Sequence, residues 1–362
     1  MQQPGASVLQ SKQHYHILDG LRGIAALSVV VFHFMEVVFL DYSKNFIGHG
    51  FLAVDFFFCL SGFVIAYAYD DRIATMGIKS FFTSRLIRLQ PLVIAGSILG
   101  LLTFLFDPFA TYQTTYSAGS IILLFLTSIM LIPFPVMTER FFNLFGLNAP
   151  AWSLFWEYVA NIVYAVVLHK IARRYLLLLT VFFAVILCIV SYRSGNVMGG
   201  WGKDTFWDGG ARICFSFLAG MLIYRSNWII KSKLGFGILS VLLVLAFIMP
   251  LIKWNWLNEA LVVIFYFPLL IALGAGGKLT SAMKSICIFS GRISYPLYMT
   301  HYAFIWMFAN YYNSYKPSNS QLAFVITAGV IALVGLAWLF MVYYDTPMRR
   351  YLTEKRKAMV NS

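Results

Sequence analysis

Charge is scarce in this chain, and acid is scarcer than base: 11% of its 362 residues are charged, with 14 Asp and Glu against 27 Lys and Arg. Set beside 60% hydrophobic residues, that balance excludes an ordinary soluble domain and points to a polytopic membrane protein. The net charge of +13 does not call for nucleic acid, because the basic residues fall in short runs between apolar segments, the arrangement that orients membrane proteins. Cysteine is rare too. Cys59, Cys188, Cys214 and Cys287 each stand alone in an apolar stretch, which excludes a disulfide framework and a redox or metal motif, so no metal is expected. No repeat of fixed period is present. Residues 1–15 lack the order of a cleaved signal and are expected to form a short tail, with a basic tail at 346–362 and a single domain over 1–362.

What is abundant is the long apolar run. A spanning helix takes about 17 to 25 mostly apolar residues, and eleven stretches qualify: 20–40, 52–69, 89–106, 119–136, 152–168, 175–192, 211–224, 235–252, 257–274, 289–310 and 321–343. Lys and Arg collect at 72–88, 170–174, 225–233, 278–292 and 349–357. If all five groups are cytoplasmic, an even number of crossings must separate each pair. Between 88 and 170 there are three candidates, so one of them does not cross. The choice falls on 119–136, which ends in the helix-stopping run Ile132-Pro133-Phe134-Pro135. The expected fold is all-α, with about ten transmembrane helices, one re-entrant or interfacial segment and both termini cytoplasmic.

Ionisable residues inside such spans are costly and raise a functional question. At about 100° per residue, Arg22 and His33 lie within about 20° of one line on the first helix, with Asp19 and Glu36 close to it. His33 stands roughly 16 Å above Arg22. Asp19 and Arg22 suit either a cap and anchor or the foot of a polar shaft. In GFLAVDFFFCLSGFVIAYAYDDR, Asp55 suits a helix N-terminus or a partner for His33, and Ser61-Gly62 suits close helix packing. Arg85 and Arg88 in SRLIRLQPL share a helix face and suit either positive-inside anchoring or a phosphate. In APAWSLFWEYVANIVY, Ser153, Glu157, Asn161 and Tyr164 share a face beside Trp152 and Trp156. In FSGRISYPLYMTHYAF, Ser294, Tyr298 and His301 do the same, with Pro296 freeing a backbone carbonyl. An arginine pair at the cytoplasmic end and a histidine with carboxylates in the outer half fit two classes: an enzyme with a phosphorylated donor, or a proton-coupled transporter with His33, Glu157 and Asp55 as the relay.

Taken in order, LDGLRGIAALSVVVFHF, FLAVDFFFCLSGFVI, RLIRLQP, WSLFWE and ISYPLYMTH resemble the acyltransferase 3 family of integral membrane acyltransferases over nearly the whole chain. Ala53, in place of a frequent Gly, and Phe155-Trp156 before the Glu depart from the family pattern. The resemblance implies O-acyl transfer, most often of acetyl from acetyl-CoA, to a hydroxyl of a cell-surface or lipid-linked saccharide at a bacterial cytoplasmic membrane. It implies a catalytic His33, an essential Arg22 and donor-associated Arg85 and Arg88. The chain resembles the stand-alone type, without a fused hydrolase-like domain. On this reading Asp55 or Glu157 orients His33, and Asp19, Trp152, Asn161, Tyr298 and His301 are candidate substrate contacts. The loop 193–209, with Trp201, Asp204, Trp207 and Asp208, suits a sugar or an interfacial aromatic belt. A succinyl or longer acyl donor and an oligomeric assembly remain open.

Overall fold

The computed structural model describes residues 14–361, and its regular structure there is helical, with one isolated bridge between Asn143 and Gly202. The helices are α1 (His16–Val38), α2 (Ala53–Tyr69), α3 (Ile73–Met76), α4 (Ile78–Leu105), α5 (Ala118–Ile129), α6 (Ala151–Val166), α7 (Arg173–Ser194) and α8 (Phe206–Arg225). They continue with α9 (Phe236–Phe247), α10 (Asn255–Leu261), α11 (Phe267–Gly276), α12 (Ser281–Thr300), α13 (Tyr302–Tyr315), α14 (Asn319–Phe340) and α15 (Thr346–Asn361). A π turn at Val262–Tyr266 joins α10 to α11, and a second at Met341–Asp345 joins α14 to α15.

Among the described residues, seven helical stretches are long and apolar enough to cross a membrane: His16–Val38, Gly50–Tyr69, Ile78–Leu105, Arg173–Ser194, Lys203–Arg225, Asn255–Gly276 and Asn319–Met359. The short candidate 211–224 is thus part of a longer helix. The candidate 119–136 is helical only over Ala118–Ile129, 12 residues, or roughly 18 Å of rise. The chain after it returns to the end of α4 that it left. A Cβ built on Gly100 would lie 1.9 Å from the Leu147 carbonyl oxygen, and one on Gly96 2.5 Å from Asn148 Nδ2. α6 then runs antiparallel to α4, with Phe81 against Tyr164 and Arg85 against Glu157.

Two helix pairs form the centre, and both pack backbone against backbone at glycine. On α2 and α8, a Cβ on Gly62 would meet the Phe217 carbonyl oxygen at 2.0 Å, and one on Gly220 the Cys59 carbonyl oxygen at 1.9 Å. The Ser61-Gly62 pair therefore does serve close approach. On α1 and α12, a Cβ on Gly23 would meet Ser290 Oγ at 1.9 Å, and one on Gly291 would meet the Asp19 Cβ at 2.6 Å.

Charge ties the same elements together. Arg212 on α8 donates from Nε and Nη2 to both Asp55 carboxylate oxygens, at 3.0 and 2.6 Å, and also to the carbonyls of Phe51 and Gly199. Asp55 is fully buried. Toward the other end of the two helices, Arg225 holds Asp70 through Nε and Nη2 at 2.7 and 2.9 Å. In the loop before α2, buried His49 meets an acceptor at each ring nitrogen: Nδ1 faces the Met249 carbonyl at 3.0 Å, and Nε2 faces Asn255 Oδ1 at 2.9 Å with Glu259 Oε1 at 3.4 Å. Two acceptors require two N–H groups, so His49 is an imidazolium paired with Glu259. Burial alone would lower its pKa, but the hydrogen bonds to Glu259 and Asn255 and the Glu259 charge raise it above the ordinary imidazole value.

Two outcomes follow. Asp55→Asn strands a buried guanidinium and should cost about 3 to 5 kcal/mol, read as a lowered thermal midpoint in detergent; an Asp55→Asn, Arg212→Met double variant should recover part of the loss. A raised pKa in the folded state stabilises fully below the unfolded histidine pKa, and the contribution is lost as pH rises through the folded value. The wild-type midpoint should therefore fall from pH 6 toward pH 9, and His49→Gln should lose that component.

Candidate active site

Arg22, Arg85 and Arg88 come together from α1 and α4 around a cavity of about 520 Å³ whose lining runs from His14 and Tyr67 to Tyr298. That volume is in the range of small-molecule sites. Arg22 donates to Ser294 Oγ (3.0 Å), Asp19 (2.9 Å) and the Gly291 carbonyl (2.9 Å), so α12 fixes its direction. Arg85 is buried and bound at 2.7 Å to Glu157, whose same oxygen accepts from Ser61 Oγ at 3.0 Å. Arg88 differs. It exposes its guanidinium to the cavity and has no hydrogen-bond or ion-pair partner among the described residues.

Two further arginines line the same space. Arg292 on α12 has no hydrogen-bond or ion-pair partner among the described residues, and Arg349 on α15 pairs with Asp345 at 2.6 Å. Neither stood out in the sequence. Arg292 falls in the basic group 278–292 and so counts as a topology charge, whereas α12 begins at Ser281 and carries Arg292 well inside the helix. The helical offset of Arg292 from Tyr295 and Tyr298, both cavity residues, is the signal that would have found it.

Phe57, Ser153 and Tyr298 line the same cavity, with Ser153 Oγ and the Tyr298 hydroxyl hydrogen-bonded at 2.8 Å. Behind Tyr298 lies His301, its ring centre 6.0 Å away, and His301 stacks on His33 at 5.3 Å and 24°. His301 is fully buried; its Nδ1 faces the Leu297 and Tyr298 carbonyls at 3.0 and 2.9 Å, so the proton is on Nδ1 and the unpartnered Nε2 is an acceptor. His33 Nδ1 lies 2.5 Å from Glu36 Oε1. Tyr42 and Tyr302 also donate to Glu36, at 3.3 and 3.5 Å, and the Tyr302 ring stands edge-on to His33 at 4.7 Å. A carboxylate on Nδ1 fixes the tautomer with Nε2 unprotonated, the form a general base needs.

Other candidates lie elsewhere. Neither Asp55 nor Glu157 reaches His33, since each is held by an arginine, Arg212 or Arg85; the imidazole is oriented by Glu36, one turn along its own helix. Trp152 packs over Arg212, 5.2 Å from its guanidinium carbon, and does not line the cavity. Asn161 is buried and donates at 2.8 Å to the Glu157 carbonyl on its own helix. Asp19 lines the cavity mouth with His14 and His16, and these three could hold a metal ion by spacing, although Asp19 already binds Arg22. In the loop 193–209, Asp208 is taken by Arg193, while Trp207 is 76% exposed.

The family profile described as an acyltransferase domain matches residues 15–342, a stretch that contains every residue of the cavity except His14, Asp345 and Arg349. The chain belongs to the acyltransferase 3 family. It is 34% identical over 166 residues to "Protein 2 in picA locus" of Rhizobium radiobacter, covering 42% of this chain and 82% of that one. It is 41% identical over 81 residues to chains named "Putative O-acetyltransferase" in Staphylococcus aureus strains COL and N315, covering 21% of this chain and 12% of theirs. No solved structure matches it. An integral membrane acyltransferase, rather than a proton-coupled transporter, is the class to which the site belongs.

The two arginines of α4 should separate in a stability measurement. Arg85→Ala strands Glu157 and should cost about 3 kcal/mol, whereas Arg88→Ala removes an unpaired cation and should change stability by no more than about 0.5 kcal/mol; paired thermal melts in detergent read both.

Proposed function

We propose that the chain transfers an acyl group, acetyl in the first instance, from acyl-CoA bound at the basic end of the bundle to a saccharide hydroxyl presented near the opposite end. The observation that carries this reading is the pair of guanidiniums without a hydrogen-bonded partner among the described residues, Arg88 and Arg292, facing one cavity that reaches Tyr298, from which the His301 ring leads to His33. An unpaired arginine fork in a partly enclosed space suits a phosphate, and CoA carries three. Arg349, released by an incoming anion from Asp345, adds a third donor.

In this reading the seven long apolar helices, with α6, α9 and the α12–α13 pair, make ten crossings of a bacterial cytoplasmic membrane. The basic end and both termini are cytoplasmic. CoA phosphates sit against Arg88 and Arg292, and the pantetheine arm follows the cavity past Arg22. The Ser153–Tyr298 pair then parts to admit the thioester toward His33. His33 Nε2 removes the proton from the acceptor hydroxyl as its oxygen attacks the thioester carbonyl. The tetrahedral intermediate expels the CoA sulfur, which takes that proton back from the imidazolium, leaving the ester on the acceptor and free CoA thiol. Glu36 stabilises the imidazolium in between, as a carboxylate on Nδ1 does in other histidine-based acyl transfer sites.

His33→Ala should abolish transfer of radiolabelled acetyl from acetyl-CoA to membrane glycans while the protein stays folded and membrane-inserted. Glu36→Gln should lower turnover by about 10² to 10⁴-fold with CoA affinity unchanged. Arg88→Ala should weaken CoA binding about tenfold or more, the loss of one charge-assisted contact. Full transfer by His33→Ala, or unchanged CoA affinity in Arg88→Ala, would contradict the reading.

A further inference from the structure

One buried cation belongs neither to the paired set nor to the donor cavity. Arg140, in the segment between α5 and α6, is only 1% exposed. Its Nη1 donates to the Gly146 carbonyl at 2.5 Å, and its guanidinium carbon lies 5.1 Å from the Phe104 ring centre and 5.2 Å from that of Trp306. Its Nε–H is buried without an acceptor, and so is the indole N–H of Trp306. Among the described residues no carboxylate pairs with Arg140. The two ring faces offset part of the desolvation of the charge, but a guanidinium held in the interior ordinarily has a counter-ion. Each of these donors calls for an acceptor, and an anion supplies one while also balancing the buried guanidinium charge, which a water does not.

The local backbone is strained in a way that keeps Arg140 there. Phe141 and Phe142, directly after it, both adopt left-handed conformations, with φ of 54° and 50°. Non-glycine residues in that region cost on the order of 1 kcal/mol or more each. The turn puts the two phenylalanines at the surface, 69% and 41% exposed, and the arginine inside. Hydrogen bonds from Leu144 N to the Trp201 carbonyl and from Lys203 N to the Phe142 carbonyl hold the turn against the 193–209 loop.

Its position relates it to the reaction centre. Trp306 stands edge-on to Tyr302 at 5.3 Å, and Tyr302 stands edge-on to His33 at 4.7 Å. Phe104 lies in the last turn of α4, the end away from Arg88. An anion on Arg140 would therefore be two aromatic contacts from His33, on the side opposite the donor cavity.

We propose that Arg140 and the Trp306 N–H hold an anionic group of the acyl acceptor, so that the accepted saccharide is acidic, bearing a carboxylate or a phosphate. The word acceptor rests on the acyl-transfer reading; the anion site does not. The test is a ligand-detected NMR titration of the full-length protein in detergent, with saturating CoA occupying the donor arginines. The probes are D-glucuronate, D-glucose 1-phosphate and D-glucose. One anionic sugar should bind at least about tenfold tighter than glucose, the worth of a charge-assisted hydrogen bond. Preference for glucuronate identifies a carboxylate, and preference for glucose 1-phosphate a phosphate. Trp306→Phe keeps the ring face and removes the N–H; it should reduce the preference severalfold, and Arg140→Gln should abolish it. If Arg140→Gln does not fold, Trp306→Phe carries the comparison. Anionic sugars binding no tighter than glucose, or a preference unchanged in Trp306→Phe, would overturn the proposal. CoA binding is measured in the same samples. Normal CoA binding without anion preference defeats this proposal alone, and absent CoA binding defeats the donor reading while the Trp306→Phe comparison still decides the anion site.

Discussion

A guanidinium or carboxylate among hydrocarbon chains is tolerated only where it meets an opposite charge, a backbone dipole or water. The arrangement of this bundle follows from that constraint. Asp55 with Arg212 and Asp70 with Arg225 join α2 to α8 near each of their ends, and between them the glycine contacts at Gly62 and Gly220 let the backbones touch. Arg85 with Glu157 joins α4 to α6. These pairs use up most of the interior charge. What they leave over is informative: Arg88 and Arg292 in one cavity, and Arg140 in the other half of the molecule.

The site is therefore divided. Cations collect around the cavity, and the imidazole stands apart from them, with Tyr298 and His301 between. The charged group at the imidazole is Glu36, one helical turn along, and not an arginine. His301, with its Nδ1 proton committed to backbone carbonyls, presents a lone pair and no second proton next to His33.

Much of this was legible in the sequence, because helical periodicity is enough to align groups on one helix. Arg22 and His33 fall on one line of α1, Glu36 follows one turn later, and Gly62 sits where a helix crosses. The order of the motifs gave the family, and the run Ile132-Pro133-Phe134-Pro135 gave an early end to the helix that starts at 118. Partners across the fold were not legible. Asp55 finds Arg212, 157 positions away, and no local pattern foretells that pairing, so an orienting role beside His33 was a reasonable but mistaken expectation for it. Asn161 and Trp152 share helix faces with functional groups, yet tertiary packing turns one onto its own backbone and the other onto Arg212. Arg292 was hidden among the basic residues 278–292 that read as topology charges. Arg140 was hidden because an arginine beside a glutamate in a loop reads as solvated, and only the left-handed turn after it drives it inward.

The central claim is that unpaired arginines at the basic end hold the donor while the Glu36–His33 pair receives its acyl end. The most direct measurement is a cryo-electron microscopy structure of the full chain in lipid nanodiscs with a non-hydrolysable acetyl-CoA analogue. The account predicts phosphate density against Arg88 and Arg292, an extended arm past Arg22, a parted Ser153–Tyr298 pair and the acyl carbon in contact with His33. Phosphate density at the opposite end of the bundle, or an acyl group remote from His33 with Ser153 and Tyr298 still bonded, would contradict it.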